Sequence, residues 1–348
     1  MKTRTLLIDG NYLVKRSFHG DKTSHNKNGQ HIGAIYSFYT TLRKLIKENL
    51  STKVVLMWDG EQGGLARYKI DPAYKANRKN KDWKHNIELS DAEIKLELKK
   101  EQSFLYQKKR IQAYAEELFI RQIEINEIEA DDLIAEYCLR HSENEDIVLF
   151  TNDRDFLQLL DLNIIIKFDN IDIPITKSNF FREFNYHYKN ALLMKIISGD
   201  TADNIAGVGG LKEDSLLKYF PELKFKSHTV REICHMAIKI NEDRLSKKLK
   251  PLKCLENLIN NVERLKINFQ LVNLRAPLLN EQALEELDQL EMPLSPTNRG
   301  SSNLLKLMDY DGFLSSYNGT AVNYLEPFYT VIMGEKELLL EYKKNKRK

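Results

Sequence analysis

Nine carboxylates gathered in short motifs are the residues of this chain best suited to chemistry. Asp9 and Asp59 each close an apolar run, TLLID and KVVLMWD, and each is followed by glycine. Glu129, Asp131 and Asp132 fall in EADDLIAEY. Asp153 and Asp155 stand two apart in TNDRDFLQLL, and Asp200 and Asp203 three apart in GDTADN, where one helical turn would put both on the same face. Ionised carboxylates brought together repel one another strongly, and cations relieve that cost. Hard oxygen donors point to Mg²⁺ or Mn²⁺. Two such ions about 3.5–4 Å apart can activate a water, stabilise charge on a phosphate and support a leaving oxygen. Each motif alone also has a plain structural reading. Asp-Gly is a turn, EADD suits the first turn of a helix, and an i, i+3 acidic pair is a solvated face. Their joint occurrence carries the chemical reading.

Such residues need a scaffold, and the hydrophobic pattern supplies one. Apolar, β-branched runs at 5–8, 53–58, 146–151 and 163–168 predict strands, separated by helical periodicity at 34–49, 90–120 and 130–140. This alternation predicts an α/β fold with a central, mostly parallel sheet flanked by helices. Ligands of such sheets bind beyond the carboxyl ends of the strands, which is where Asp9, Asp59 and Asp153 fall. After about residue 185 the strand signals fade. Segments 189–198, 212–220, 227–240 and 253–265 predict helices, and 204–220 reads as helix, glycine-rich turn (207–210), helix. The Pro- and Ser-rich stretch 290–303 predicts a linker.

Residues 67–84 carry seven Lys or Arg against two Asp. If 73–84 is helical, Lys75 and Arg78 share a face and reach one phosphate, while Tyr74 and Trp83 offer ring faces to unpaired bases. The bland alternative is an exposed basic loop. The charged stretch 90–110 has few core-like residues, as in a helix that bridges open space. Together with 67–84 it predicts a mobile arch. The glycine turn can present backbone N–H groups to a phosphate or serve only as a hairpin. Over the whole chain 42% of residues are apolar, 30% are charged and the net charge is +3, an ordinary globular composition with local basic patches. Three scattered cysteines argue against disulfides and zinc. No signal peptide or membrane span is visible, which predicts a cytoplasmic protein. Tyr317, Tyr324, Phe328 and Tyr329 among apolar residues predict packing of the C-terminal part, with docking of a partner protein as the alternative.

In this order LLIDGN, WDG, YKANR, EADDLIA, TNDRDFLQL and GDTADNIAGVGG resemble the flap endonuclease or 5′–3′ exonuclease family, which includes the 5′-nuclease domain of DNA polymerase I and stand-alone phage enzymes. The resemblance covers roughly residues 5–220, and NFQLVNL (268–274) resembles a further family element. It implies a PIN-like nuclease core over 1–185 with a helical arch at about 67–110. A helical DNA-binding region over 186–275, containing a helix-three-turn-helix, and an extension of unknown role over 276–348 complete the chain. It implies two Mg²⁺ ions, with Mn²⁺ as a substitute. Asp9, Asp59, Glu129, Asp131 and Asp132 match the ligands of the first ion; Asp153, Asp155, Asp200 and Asp203 complete the set. Lys75 and Arg78 match the basic pair at the scissile phosphate, with Tyr74 beside them and Lys79 next to them. Gly207, Gly209, Gly210 and Lys212 match the duplex-binding turn, which holds K⁺ in some relatives. Here the pattern departs: both usual prolines are absent, Lys212 replaces a glycine, and Asp214 replaces a lysine, which weakens phosphate contact. The implied activity is 5′–3′ exonuclease and 5′-flap endonuclease hydrolysis of DNA, by a monomer, in replication or repair. RNA–DNA hybrids are a further substrate, and a single-strand-binding protein a further partner. A PIN-type ribonuclease and a non-catalytic structure-specific DNA-binding protein are the alternatives.

Overall fold

The computed structural model describes residues 2–26, 28–79, 89–295, 299–313 and 320–346. The chain divides into two compact units that interleave in sequence: 1–63, 87–152 and 279–348 form the first, and 64–86 and 153–278 the second.

The first unit is built on parallel strands β1 (Thr3–Asp9), β2 (Lys53–Asp59), β3 (Arg121–Ile125) and β4 (Glu145–Phe150), arranged β3-β2-β1-β4. β1 and β2 are almost wholly buried, as their unbroken apolar runs require. β3 escapes the sequence pattern because RQIEI holds only two apolar residues. It buries Arg121 instead, and Glu335 on the helix Phe328–Asn345 meets its guanidinium at 2.7 and 2.6 Å, both side chains being 1% exposed. Arg121 also donates to the carbonyls of Leu290 and Met292. This pairing ties the helix Phe328–Asn345 to the sheet. Tyr324 and Phe328 are buried in the same core as Tyr39 and Phe38. Tyr329 is exposed, and Tyr317 lies outside the described residues.

The helices Gly10–Gly20, Gly33–Asn49, Asp91–Glu117 and Ala130–His141 follow β1 and connect the strands. The charged helix Asp91–Glu117 opens with a capping box, Ser90 and Glu93, and its first turns are exposed. Further on it buries Gln107, Ile111, Tyr114 and Ala115. Its second half is therefore core, and only its exposed first half fits the expected arch. Trp83 and the rest of 80–88 lie outside the described residues.

The second unit carries β5 (Ile164–Lys167) and is otherwise helical, with a two-residue antiparallel ribbon joining Gly199–Asp200 to Ile205–Ala206. The helix expected over 253–265 is two, Lys253–Asn260 and Val262–Val272, broken at Asn261. Asn268, fully buried, donates to the carbonyls of Ile196 and Ala206 at 2.8 and 2.9 Å. Arg67 is buried and donates to the Leu271 carbonyl at 2.8 Å, so this member of the basic segment is structural. Among the described residues no helix is long and apolar enough to cross a membrane.

Candidate active site

In the first unit, register brings the acidic motifs to one sheet edge. Asp9 pairs with Met57 in the β1–β2 ladder, two residues before Asp59, and Ile8 pairs with Phe150, one residue before Thr151. Asp9 Oδ1 accepts from the Tyr12 amide at 2.8 Å and caps the following helix; Oδ2 accepts from the Thr151 hydroxyl at 3.3 Å. Asp59 Oδ1 accepts from the Ala130 amide at 2.9 Å. That bond ties the end of β2 to the helix Ala130–His141, at whose start stand Glu129, Asp131 and Asp132. Gly60 makes the approach feasible, because a Cβ there would lie 1.7 Å from the Ile125 carbonyl oxygen. Glu129 sits at the N-cap position but its side chain makes no capping bond there. Glu129 and Asp132 are buried despite their charge, a costly placement for residues that serve only as a cap.

In the second unit a further acidic group forms around a residue the sequence reading missed. Asp153 caps a short 3₁₀ helix, Arg154–Leu159, by accepting from the Asp155 amide at 2.8 Å. Lys195, near the end of the helix Ala191–Ser198, reaches Asp155 Oδ1 at 2.5 Å and pairs also with Asp200. Gly199 reverses the chain between Lys195 and Asp200 with φ +68°, and a Cβ there would lie 2.3 Å from the Gly207 nitrogen. Burial pushes the Asp155 carboxyl up to about 7, and the charge of Asp153 adds to the effect against the opposing pull of Lys195. Burial also works against the Asp200 carboxylate, yet Lys195 and the amides of Ala202 and Asp203 hold it below the usual range. Lys195 itself is held above the ordinary lysine value: burial opposes its charge, and Asp155 and Asp200 prevail. A lone cation in the otherwise apolar run ALLMKIIS was the available signal. Asp155, Lys195, Asp200 and Lys212 help line a cavity of about 320 Å³.

Asp203 does not share a helical face with Asp200. The segment between the ribbon strands is a turn, in which Asp200 Oδ1 accepts from the Ala202 amide at 2.7 Å. Asp203 instead meets the basic segment: its Oδ1 pairs with Arg78 at 2.6 Å, and its carbonyl accepts from the Lys75 amide at 2.8 Å. Asn204 donates to the Ala73 carbonyl and Asn77 to that of Thr201, at 2.7 and 3.0 Å. YKANR and GDTADN are thus one docked unit. The helix expected over 73–84 is described only as Ala76–Lys79; the side chain of Lys79 lies outside the described residues. Tyr74 is 6% exposed, with its hydroxyl 3.5 Å from Asp203 Oδ2, so it presents no open stacking face. The Lys75 ammonium lies 4.8 Å from the centre of that ring, and Lys75 itself has φ +54°, unusual for a side-chain-bearing residue.

The glycine turn also departs from expectation. The helices expected over 189–198 and 212–220 are Ala191–Ser198 and Glu213–Tyr219, but no helix runs within 204–206 directly before the turn. Gly207 lies against the Ser198 carbonyl, and Gly210 takes φ +84°. The Gly209 carbonyl accepts from Asn257 at 3.2 Å, and the Lys212 ammonium donates to the Ser198 carbonyl at 2.8 Å.

Among the described residues no group of three or more His, Cys, Asp or Glu is set to hold a metal ion. The chemistry of the donors is nonetheless that of a hard-cation site. They are carboxylate oxygens without sulfur or imidazole, buried or half-buried, and in the second unit already gathered around an ammonium.

A parallel α/β sheet edged with carboxylates, with a basic segment docked on a further acidic group, defines a class of nucleases that handle phosphodiesters. Residues 4–185 match the model of the 5′-3′ exonuclease N-terminal, resolvase-like domain, and the chain belongs to that family. A 5′-3′ exonuclease of Mycoplasmopsis pulmonis is 28% identical over 292 residues, covering 82% of this chain and 90% of the relative. One of Halalkalibacterium halodurans is 30% identical over 223 residues, 61% of this chain and 67% of the relative. A phage T5 flap endonuclease variant, solved as a pseudo-enzyme–product complex with DNA and metal ions, superposes with a TM-score of 0.62 at 18% identity, over 88% of this chain and 99% of that one. At that identity the likeness establishes the fold.

Proposed function

We propose that the chain is a divalent-metal-dependent 5′ nuclease that hydrolyses phosphodiester bonds of DNA at 5′ ends and 5′ flaps, with RNA paired to DNA as a further substrate. The carrying observation is the bond from Asp59 to the helix start that bears Glu129, Asp131 and Asp132, beside Asp9 on the neighbouring strand. These five residues would hold one Mg²⁺ ion, and Asp153, Asp155, Asp200 and Asp203 a second, with Mn²⁺ as a substitute. When bound, such ions supply Lewis-acid stabilisation of the phosphate and lower the pKa of a water. The relatives named as 5′-3′ exonucleases, and the T5 flap endonuclease described with DNA and metal ions, support the reading.

The protein's own groups account for the rest. Arg78, on the exposed side of its pair with Asp203, is placed to exchange that carboxylate for a phosphate, whose planar two-oxygen edge suits its fork. Lys75, held by the Asp203 carbonyl through its backbone and backed by the buried Tyr74 ring, aims a point charge at the same phosphate. Gly207, Gly209 and Gly210 would present backbone to duplex phosphates with Lys212 beside them. The test is cleavage of a flap carrying distinct 5′- and 3′-end labels, with Mg²⁺ and with EDTA. The reading expects release of the 5′ segment only with Mg²⁺; release from the 3′ end, or equal cleavage in EDTA, contradicts it.

A further inference from the structure

Lys195 stands where a divalent ion would be expected to find its oxygens. Its ammonium bridges Asp155 and Asp200, two residues from different segments of the second unit, and its side chain is only 22% exposed. Asp153 adjoins the same group, while Asp203 is occupied by Arg78. The helix that carries Lys195 is apolar apart from this residue, and its partners hold the charge in a poorly solvated place. Two properties of lysine bear on what it does there. The charge is a single point on a flexible four-carbon stem, so it can withdraw without rearranging the helix. An ammonium brings only one positive charge to a group of three carboxylates, so a net negative charge remains to attract a stronger cation.

We propose that Lys195 is a positioning residue acting as an internal counter-cation: it holds Asp155 and Asp200 together when no divalent ion is bound, and a divalent ion entering this group competes with its ammonium for the same oxygens. The proposal rests on the assignment of these carboxylates as ion ligands. It makes the second group self-assembled before loading, and it makes Lys195 the residue that sets the ion concentration at which loading occurs. Contact with one opposite charge lowers a carboxylate's proton affinity by about one to three decades, and a divalent ion competing for the same oxygens meets the same charge. Removal of the competitor should therefore tighten divalent binding by at least about tenfold.

The experiment measures Mn²⁺ binding by electron paramagnetic resonance, without DNA, on the full-length wild type, Lys195→Met, Lys195→Gln and Lys195→Arg, with melting temperatures in EDTA and in Mn²⁺. The glutamine variant keeps a hydrogen-bond donor without the charge, and serves if the methionine variant does not fold. Tighter binding in the two neutral variants, wild-type binding in the arginine variant, and a melting temperature lowered in EDTA but restored by Mn²⁺ are expected. The gain should be absent when Asp155→Asn is added. Wild type that binds Mn²⁺ while the neutral variants bind equally or more weakly overturns this proposal alone. Wild type that binds no Mn²⁺ overturns the ion-site reading and the proposal with it.

Discussion

The stability of Asp155→Asn relative to the wild type, both metal-free, should rise with pH. Asp155 is 16% exposed, and burial with the neighbouring Asp153 raises its folded-state pKa from 3.8 to about 7. A carboxyl with a raised folded pKa keeps its proton in the fold after the unfolded chain has lost it. Its contribution is therefore fully present below the unfolded value and is lost as pH rises through the folded value. Between pH 5 and pH 8 the wild type should lose about 2–3 kcal/mol from this group, whereas asparagine does not titrate. Lys195 stays charged at both pH values, and its attraction for the ionised Asp155 is already contained in that raised value. Urea unfolding of both proteins in EDTA reads the difference directly. The stability of Asp155→Asn relative to wild type should rise by about 2–3 kcal/mol from pH 5 to pH 8. A difference that is constant, or that grows toward acid, refutes the reasoning.

Three further outcomes follow from the geometry. Arg121→Met leaves the buried Glu335 carboxylate unpaired and should cost about 3–5 kcal/mol by urea unfolding, much of it recovered in the double variant with Glu335→Leu. Gly60→Ala places a methyl group 1.7 Å from the Ile125 carbonyl oxygen and must displace the loop leading to Glu129; turnover on a flap should fall about 100-fold, with far-UV circular dichroism unchanged. Lys75→Ala should lower the single-turnover cleavage rate about 100-fold and leave the Kd for DNA nearly unchanged, and an unaltered rate would remove Lys75 from the phosphate.

The strands that carry Asp9 and Asp59 were legible because buried parallel strands read as unbroken apolar runs, and the acidic motifs marked their ends. β3 was not, because its inward position is filled by an arginine whose partner lies more than two hundred residues away. The same distance hid the return of the C-terminal helices to the sheet. Asp200 and Asp203 were placed on one helical face because three-residue spacing fits a helix; Gly199 and the short ribbon impose a turn instead, and only the fold could show Asp203 facing Arg78. Tyr74 was read as an exposed ring beside basic residues, and a buried tyrosine has the same sequence signature. Lys195 was passed over because a single lysine in an apolar helix reads as a solvated face until its carboxylate partners, one of them forty residues earlier, are in place.

The most direct test of the central claim is single-turnover cleavage of a 5′-labelled flap by the wild type, Asp9→Asn and Asp153→Asn across a Mg²⁺ titration. Wild type should release the 5′ segment only with Mg²⁺, and neither variant should cleave at any concentration, while both still bind the flap. Cleavage at the wild-type rate by either variant, or release without Mg²⁺, would contradict it.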